Sequence, residues 1–235
     1  MKASVCMATH DRPNLLAKTL ESIYRQRVPF EFEVIVVDDG STEDYSPLRE
    51  QFPSVRWHRI DRDPGYRGPA VARNIAYRAA TGEIIIAQSD DVFHESPDCI
   101  ERLVAELIPG TCVFARVLEL TKEGRPGNRL TTCCIRRPLF FLGSLYRSDL
   151  YAVGGNDEEF EDPSHEDDWF AACLIRGLGI KPVFSKHIIG YHQYHLRPTV
   201  NRSRNARMLR KKIDIAKRTK GWTASGGAWN MEALQ

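Results

Sequence analysis

Short apolar runs alternate with helix-like segments from residue 3 to residue 107, and this alternation restricts the fold more than any other feature of the sequence. The runs ASVCMA, FEVIVV, VRWHRI and EIIIA have the length and composition of β-strands. FEVIVV is almost continuously apolar, as expected of a parallel strand that helices cover on both faces. The repeated strand-to-helix units predict an α/β fold with a doubly wound, mostly parallel sheet, which binds ligands at the carboxyl ends of its strands.

Helix boundaries follow from turn and capping signals. Pro13 is well placed in the first turn of a helix after ASVCMA, and Ser96-Pro97 opens another after EIIIA. Between them, AVARNIAYRAATG reads as a helix that Gly82 closes.

The pattern changes beyond Thr111. Shorter strands are expected around CVFARVLEL and NRLTTCCI, and the turn-rich TKEGRPGN joins them. We therefore expect a smaller mixed sheet to follow the parallel one. The chain divides into a first half (1–110), a second half of the same domain (111–195) and a basic C-terminal helical extension (196–235).

Length and composition favour a single domain. A chain of 235 residues that is 42% hydrophobic and 27% charged can bury one sizeable core. The longest nearly uncharged apolar stretch, 138–146, is much shorter than the roughly 20 residues of a membrane-spanning helix, and the N-terminus shows no signal-peptide pattern. The six cysteines form no CxxC pair and are expected to be buried free thiols. These features predict a cytoplasmic protein.

Charge is concentrated near the C-terminus. The chain has a net charge of +2, yet residues 197–220 contain ten Lys or Arg and one Asp. A solvated basic face and an anion-binding surface are both consistent with this segment. In the second case its partner would be a diphosphate, an anionic membrane surface or a nucleic acid, and contact with a membrane or polyanion would make the protein peripheral.

Acidic pairs follow two of the predicted strands. Asp38 and Asp39 come after VIVV, where an Asx-turn or helix cap is the alternative interpretation. Asp90 and Asp91 come after IIIA, and two adjacent acids at the end of a buried strand repel each other unless a positive group lies between them. A divalent cation, Mg²⁺ or Mn²⁺, meets that need together with phosphate oxygens.

Three further residues are ambiguous from local pattern alone. Asp167 shares a stripe with apolar helix positions and is expected to point inward, but Ser164-x-x-Asp167 also has the spacing of a capping box. His192 and His195 suit either a metal ligand or a hydrogen-bonded packing residue.

Five segments, in their order and spacing, resemble the family 2 glycosyltransferases, which have the GT-A fold. These are SVCMATHDRPNLLAKTLESI, EVIVVDDGSTED, GPAVARNIAYRAATGEIIIAQSDD, YAVGGNDEEFEDPSHEDDWFAACLIRGLG and GYHQYH. The resemblance covers residues 3–195. It implies an inverting transfer of a sugar from a nucleoside-diphosphate sugar, with UDP the favoured nucleotide, to an acceptor hydroxyl on a saccharide, lipid or other molecule.

The resemblance also assigns roles to single residues. The donor-binding positions that it implies are Thr9, His10, Arg12, Asp39, Arg73 and Asp90. QSDD resembles the metal-binding DxD motif with Gln88 in place of the first Asp, so that Gln88 would contact the metal as a neutral oxygen. Asp90, Asp91 and His192 are the implied metal ligands, and Asp167 in HEDDW is the implied catalytic base. The substitution at Gln88 and the basic C-terminal segment motivate an alternative, a nucleotide-sugar or nucleic-acid binding module without catalysis.

Overall fold

The computed structural model describes residues 2–61, 68–131, 137–196 and 202–231, with side chains described for all of these except 128–131. The strands are β1 (Lys2–Thr9), β2 (Glu31–Asp38), β3 (Arg56–Arg59), β4 (Ile84–Gln88), β5 (Val92–His94), β6 (Thr111–Leu120), β7 (Pro126–Thr131), β8 (Leu142–Tyr146) and β9 (Lys181–His192). The helices are α1 (Pro13–Tyr24), α2 (Ser46–Gln51), α3 (Ala70–Ala79), α4 (Cys99–Ala105), α5 (Arg147–Val153), α6 (Glu166–Ala172), which continues into a π-helical turn (Cys173–Gly177), and α7 (Arg202–Thr219).

The nine strands found among the described residues belong to one sheet, in the order β3-β2-β1-β4-β8-β6-β9-β5, with β7 paired to β6. β1 runs parallel to β2 and β4, and β2 runs parallel to β3. The α/β prediction is confirmed. The prediction of a mostly parallel sheet followed by a separate smaller one is wrong, because β8 pairs antiparallel with both β4 and β6 and joins the two regions.

The sheet is buried on both faces. In β2, Val34 and Val36 face a core shared with α1 and α4, whereas Ile35 and Val37 face a second core shared with α3, α5 and α6. A strand covered on both sides has no solvent face. This double burial explains the nearly continuous apolar run in the sequence.

The predicted helix signals have mixed outcomes. Pro13 lies in the first turn of α1, and α4 follows Ser96-Pro97, as expected. The prediction that Gly82 closes α3 is wrong, because the helix ends at Ala79 and Ala80 is already extended. Gly82 is instead a point of close approach, since a Cβ there would lie 2.8 Å from the carbonyl carbon of Ala3. Strands are present around CVFARVLEL and at the start of NRLTTCCI as β6 and β7, although β7 already begins at Pro126 within TKEGRPGN, and residues 132–135 of the second predicted strand lie outside the described residues.

The structure also shows where four of the cysteines and the basic helix α7 lie. Cys6, Cys99, Cys112 and Cys173 are buried free thiols, while Cys133 and Cys134 lie outside the described residues. The apolar side of α7, including Met208, Leu209 and Ile213, packs against the second core. Within the described ranges, no helix is both long and apolar enough to cross a membrane.

Candidate active site

The carboxyl ends of β1, β2 and β4 meet at one edge of the sheet. Thr9 and Asp38 are register partners at the ends of β1 and β2, and the Asp39 amide donates to the Thr9 carbonyl at 2.9 Å. β4 lies on the other side of β1 and ends just before Asp90. Parallel pairing therefore assembles the residues that follow three strands into one site.

Thr9 connects the first loop to the acidic pair. Its hydroxyl donates to Asp90 Oδ2 at 2.8 Å and lies 2.9 Å from the Tyr45 hydroxyl. A hydroxyl has one proton, so Tyr45 is the donor in the second bond. The Tyr45 oxygen in turn accepts the backbone N–H of Arg12 at 2.9 Å. Sequence reasoning did not identify Tyr45, because its role depends on contacts across the fold.

Asp90 and Asp91 share one guanidinium. Arg12 Nη1 lies 3.1 Å from Asp91 Oδ2 and 3.6 Å from Asp90 Oδ1. Burial, reinforced by the charge of Asp91, raises the pKa of Asp90 to about 6. Burial also acts to raise the pKa of Asp91, but the hydrogen bond from His195 and the charges of His192 and Arg12 outweigh it and lower that pKa.

Two histidines at the end of β9 join Asp91. The pairing of Val92 with His192 between β5 and β9 brings these distant parts of the chain together. His192 Nε2 lies 3.4 Å from Asp91 Oδ2, and His195 Nε2 lies 3.1 Å from the same oxygen. Gln193 fixes this turn, since its N–H donates to the Asp91 carbonyl at 2.8 Å.

This acid–imidazole group fits a divalent metal. One ligand atom from each of Asp91, His192 and His195 lies within 4.8 Å of the others. Asp91 Oδ1 is buried and has no hydrogen-bond partner among the described residues. Imidazole nitrogens favour a transition-metal ion over Mg²⁺, which prefers oxygen ligands. Of the predicted ligands, the structure groups Asp91 and His192 and adds His195, while Asp90 is bonded to Thr9.

Gln88 is engaged away from this group. Its Nε2 donates to the Val92 carbonyl at 2.7 Å, and its Oε1 lies 3.0 Å from His94 Nε2. Burial lowers the pKa of His94 to about 3, so the imidazole is neutral and donates to the amide oxygen. These bonds correct the prediction that the Gln88 oxygen contacts a metal.

A second charged group joins α3 to α6. Arg73 Nη1 lies 2.7 Å from Asp167 Oδ1 and 4.0 Å from Glu166 Oε1, and all three side chains are at most 8% exposed. Burial would lower the pKa of Arg73, but the charge of Asp167 outweighs it and raises that pKa. Asp167 therefore points inward, as predicted.

The capping-box interpretation of Asp167 is wrong. The residue before α6 is His165, which has a left-handed φ of 67°, and none of the described side chains caps the helix. The Asp167 carboxylate accepts a hydrogen bond from Arg73 instead. Ser164 Oγ, the other half of the supposed box, has no partner among the described residues.

Glu166 is a further acid that sequence reasoning missed. It is 6% exposed, and its Oε2 has no hydrogen-bond partner among the described residues. Burial, with the charge of Asp167 second, raises its pKa to about 7. The only local signal was its position beside Asp167 in the sequence.

The remaining predicted residues lie at the carboxyl ends of β1 and β2. Asp38 follows the turn interpretation, because its Oδ1 accepts the Ser41 N–H at 2.9 Å and its Oδ2 pairs with Arg59. Asp39 is buried, and its carbonyl lies 3.0 Å from His10 Nδ1. Five of the six predicted donor-binding residues thus lie in one group: Thr9, His10, Arg12, Asp39 and Asp90. The sixth, Arg73, lies in the other group, with Asp167.

Comparison with known families places the chain in one of them. The model of the family described as Glycosyl transferase family 2 matches residues 4–162, more than half of the chain. The chain belongs to glycosyl transferase family 2. The matched segment contains Asp90, Asp91 and Arg73. Helices α6 and α7, together with His192 and His195, lie beyond it.

Curated relatives of this family 2 chain match over part of their length. The hyaluronan synthase of Pasteurella multocida is 36% identical over 108 residues, which are 45% of this chain and 11% of that protein. An uncharacterized glycosyltransferase of Bacillus subtilis (strain 168), YwdF, is 30% identical over 146 residues, 62% of this chain and 52% of that one. The chain therefore spans about half or less of the length of these relatives.

Solved structures share the fold of the family 2 chain. Staphylococcus aureus TarS (residues 1–349) in complex with UDP-GlcNAc has a TM-score of 0.70 at 18% identity and covers 92% of this chain and 67% of its own. The mannosyltransferase PcManGT of Pyrobaculum calidifontis, in complex with GDP-Man and Mn²⁺, has a TM-score of 0.65 at 25% identity. The match covers 92% of this chain and 64% of the PcManGT chain. The likeness to TarS supports the predicted GT-A fold.

Proposed function

We propose that this chain is an inverting glycosyltransferase that moves a sugar from a nucleoside-diphosphate sugar, with UDP as the expected nucleotide, to an acceptor hydroxyl. The observation that carries the proposal is the group of Asp91, His192 and His195 at the strand edge where a family 2 chain is expected to bind its donor. A separate buried acid, Asp167, lies on α6. These two groups supply what a metal-dependent sugar transfer requires.

Donor binding would use the first group. Thr9, His10 and Asp39 line the edge where a nucleotide would lie, and Arg12 supplies a cation beside Asp90 and Asp91. Asp91, His192 and His195 would hold Mn²⁺ or Mg²⁺, with Asp90 adjacent. A divalent cation in this place offsets the negative charge that grows on a departing diphosphate.

Asp167 is the proposed base. Its carboxylate would accept the proton of the acceptor hydroxyl as that oxygen attacks the anomeric carbon from the face opposite the diphosphate. One displacement inverts the configuration and needs no covalent enzyme intermediate. Arg73 Nη1 donates to Asp167 Oδ1 at 2.7 Å and so orients this carboxylate.

Complexes of similar proteins support the choice of donor. The TarS structure contains UDP-GlcNAc and the PcManGT structure contains GDP-Man with Mn²⁺. Both are nucleoside-diphosphate sugars. We extend this class of donor to the present chain, while the acceptor, a saccharide, lipid or other hydroxyl compound, is not selected by any described contact.

Thermal unfolding with candidate donors tests the proposal. We expect UDP-glucose, UDP-GlcNAc or GDP-mannose to raise the Tm in the presence of Mn²⁺, since a ligand at 100 times its Kd stabilises a fold by about 2.7 kcal/mol. His195→Ala should lose the Mn²⁺-dependent part of the shift. His187→Ala, which replaces an exposed histidine on β9, is the matched control and should keep it. An equal Mn²⁺ effect in both variants would contradict the ligand set.

A further inference from the structure

The C-terminal helix α7 holds the segment that leads into α6. Asn205, on α7, is 1% exposed, and its Nδ2 donates to the carbonyls of Asp162 and Ser164 at 2.9 Å each. The family model ends at residue 162, so α7 lies outside the matched part of the chain. A helix beyond the matched segment thus forms hydrogen bonds with the residues that directly precede Glu166 and Asp167.

These bonds fix the turn that aims Glu166 and Asp167. Ser164 precedes His165, whose left-handed φ of 67° is unfavourable for a residue with a Cβ. The His165 carbonyl accepts the first hydrogen bond of α6, from the Trp169 N–H at 3.0 Å. Because no side chain in the described part of the chain caps this short helix, the bonds that hold the preceding turn help to set its direction.

The chain that leads to α6 is also bonded to α3, at Asn156. Asn74 Nδ2 donates to the Asn156 carbonyl at 2.8 Å, and the Asn156 N–H donates to Asn74 Oδ1 at 2.8 Å. Asn74 is the residue after Arg73, so this reciprocal pair ties the segment to the helix that carries the guanidinium. Nearby, Asp157 is fully buried and lies 2.9 Å from Lys212 Nζ on α7.

We propose that Asn205 is a positioning residue for sugar transfer. By holding the Asp162 and Ser164 carbonyls it sets where α6 begins, and through α6 it sets the 2.7 Å contact between Asp167 and Arg73. Asn205 does not touch the reacting atoms. The inference rests on the proposed function, because the value of this placement lies in presenting Asp167 to an acceptor.

Asn205→Ala tests this role against a matched control. Ile213→Ala removes an apolar contact of α7 with the core without removing a hydrogen bond to the turn. With the donor that raises the Tm most and Mn²⁺, we expect Asn205→Ala to lower the rate of nucleoside-diphosphate release by about 10-fold to 100-fold, since small misplacements of catalytic groups have effects of this size. Its donor Kd should stay within about twofold of wild type. At an assay temperature well below its Tm, Ile213→Ala should release the nucleoside diphosphate at the wild-type rate.

A double variant separates positioning from general destabilisation. If Asn205 acts through Asp167, adding Asn205→Ala to Asp167→Asn should reduce the residual rate no further. Additive losses, or equal losses in Asn205→Ala and Ile213→Ala, would overturn the proposal.

Hydrogen exchange tests the placement without turnover. Asn205→Ala should speed amide exchange at residues 165–169, and Ile213→Ala should speed it mainly within α7. Unchanged exchange at 165–169 in Asn205→Ala would overturn the positioning role even if the wild-type protein showed no turnover. An inactive wild-type protein whose variant shows the expected exchange would count against the proposed function alone.

Discussion

Asp91 is the residue around which the charges of the site are arranged. Its Oδ2 lies within 3.4 Å of Arg12, His192 and His195, while its Oδ1 has no partner among the described residues. The sequence pointed to a pair of acids after a buried strand. It did not show that Asp91, rather than Asp90, would meet the histidines, because that depends on contacts between strands far apart in the chain.

Gln88 shows how the fold changes the meaning of a motif position. By resemblance it replaces a motif Asp, so restoring the acid would be expected to keep or improve metal binding. In the structure its amide donates to Val92 and accepts from His94, and an Asp carboxylate cannot donate to the Val92 carbonyl.

We therefore expect Gln88→Asp to destabilise the protein by about 1–3 kcal/mol, the usual cost of an unsatisfied buried polar group. Mn²⁺ affinity should not increase. Gln88→Glu, which keeps the side-chain length, is the control for length and should also be destabilised. Thermal unfolding and Mn²⁺ titration measure both effects. Tighter Mn²⁺ binding at an unchanged Tm in Gln88→Asp would show that position 88 reaches the ion.

At the scale of elements, the sequence predicts what local periodicity encodes. Strands β1, β2 and β4 are long apolar runs, and Pro13 and Ser96-Pro97 are local helix signals, so these elements were predictable. β5 has only three residues, and its importance lies in pairing Val92 with His192. No local pattern shows that pairing. For this reason the sequence alone could not decide whether His195 is a metal ligand or a packing residue.

The start of α6 illustrates a second limit. Ser164-x-x-Asp167 matches a capping box, yet Asp167 pairs with Arg73, which is 94 residues away in the sequence. Arg73 can approach because Asn74 and Asn156 bond α3 to the segment before α6. A local motif cannot report such long-range competition for a side chain.

At the scale of the whole molecule, α7 has separate apolar and basic sides. Met208, Leu209 and Ile213 pack on the core, and the cations Arg207, Arg210, Lys211, Lys217 and Arg218 are exposed. Because the apolar side is already buried, this helix cannot insert that side into a bilayer. Any contact with a membrane or polyanion would be electrostatic.

We expect the exposed cations to be solvated and to have no part in donor binding. Replacing Arg207, Lys211 and Arg218 together by Ala should change the donor Kd by less than about twofold, because an exposed charge interacts weakly in water. Calorimetry measures the Kd, and flotation with anionic vesicles or gel shift with RNA measures polyanion binding. Tight binding to either that weakens steeply with salt and disappears in the triple variant would show a docking surface instead.

The central claim is that one buried acid on α6 carries a metal-dependent transfer. Asp167→Asn keeps an oxygen that accepts from Arg73, so the fold and donor binding should persist while the proton acceptor is lost. Asp168→Asn, the next residue, loses one of the two hydrogen bonds that Asp168 accepts from Arg137 and is the matched control.

The deciding measurement is the rate of nucleoside-diphosphate release from the stabilising donor with water as the acceptor, with Mn²⁺ and with chelator, in the wild type and these two variants. We expect Mn²⁺-dependent release by the wild type and Asp168→Asn, and a rate about 100-fold or more lower for Asp167→Asn at an unchanged donor Kd. Equal rates in all three proteins, with donor bound in each, would contradict this expectation and would favour a nucleotide-sugar binding module without catalysis.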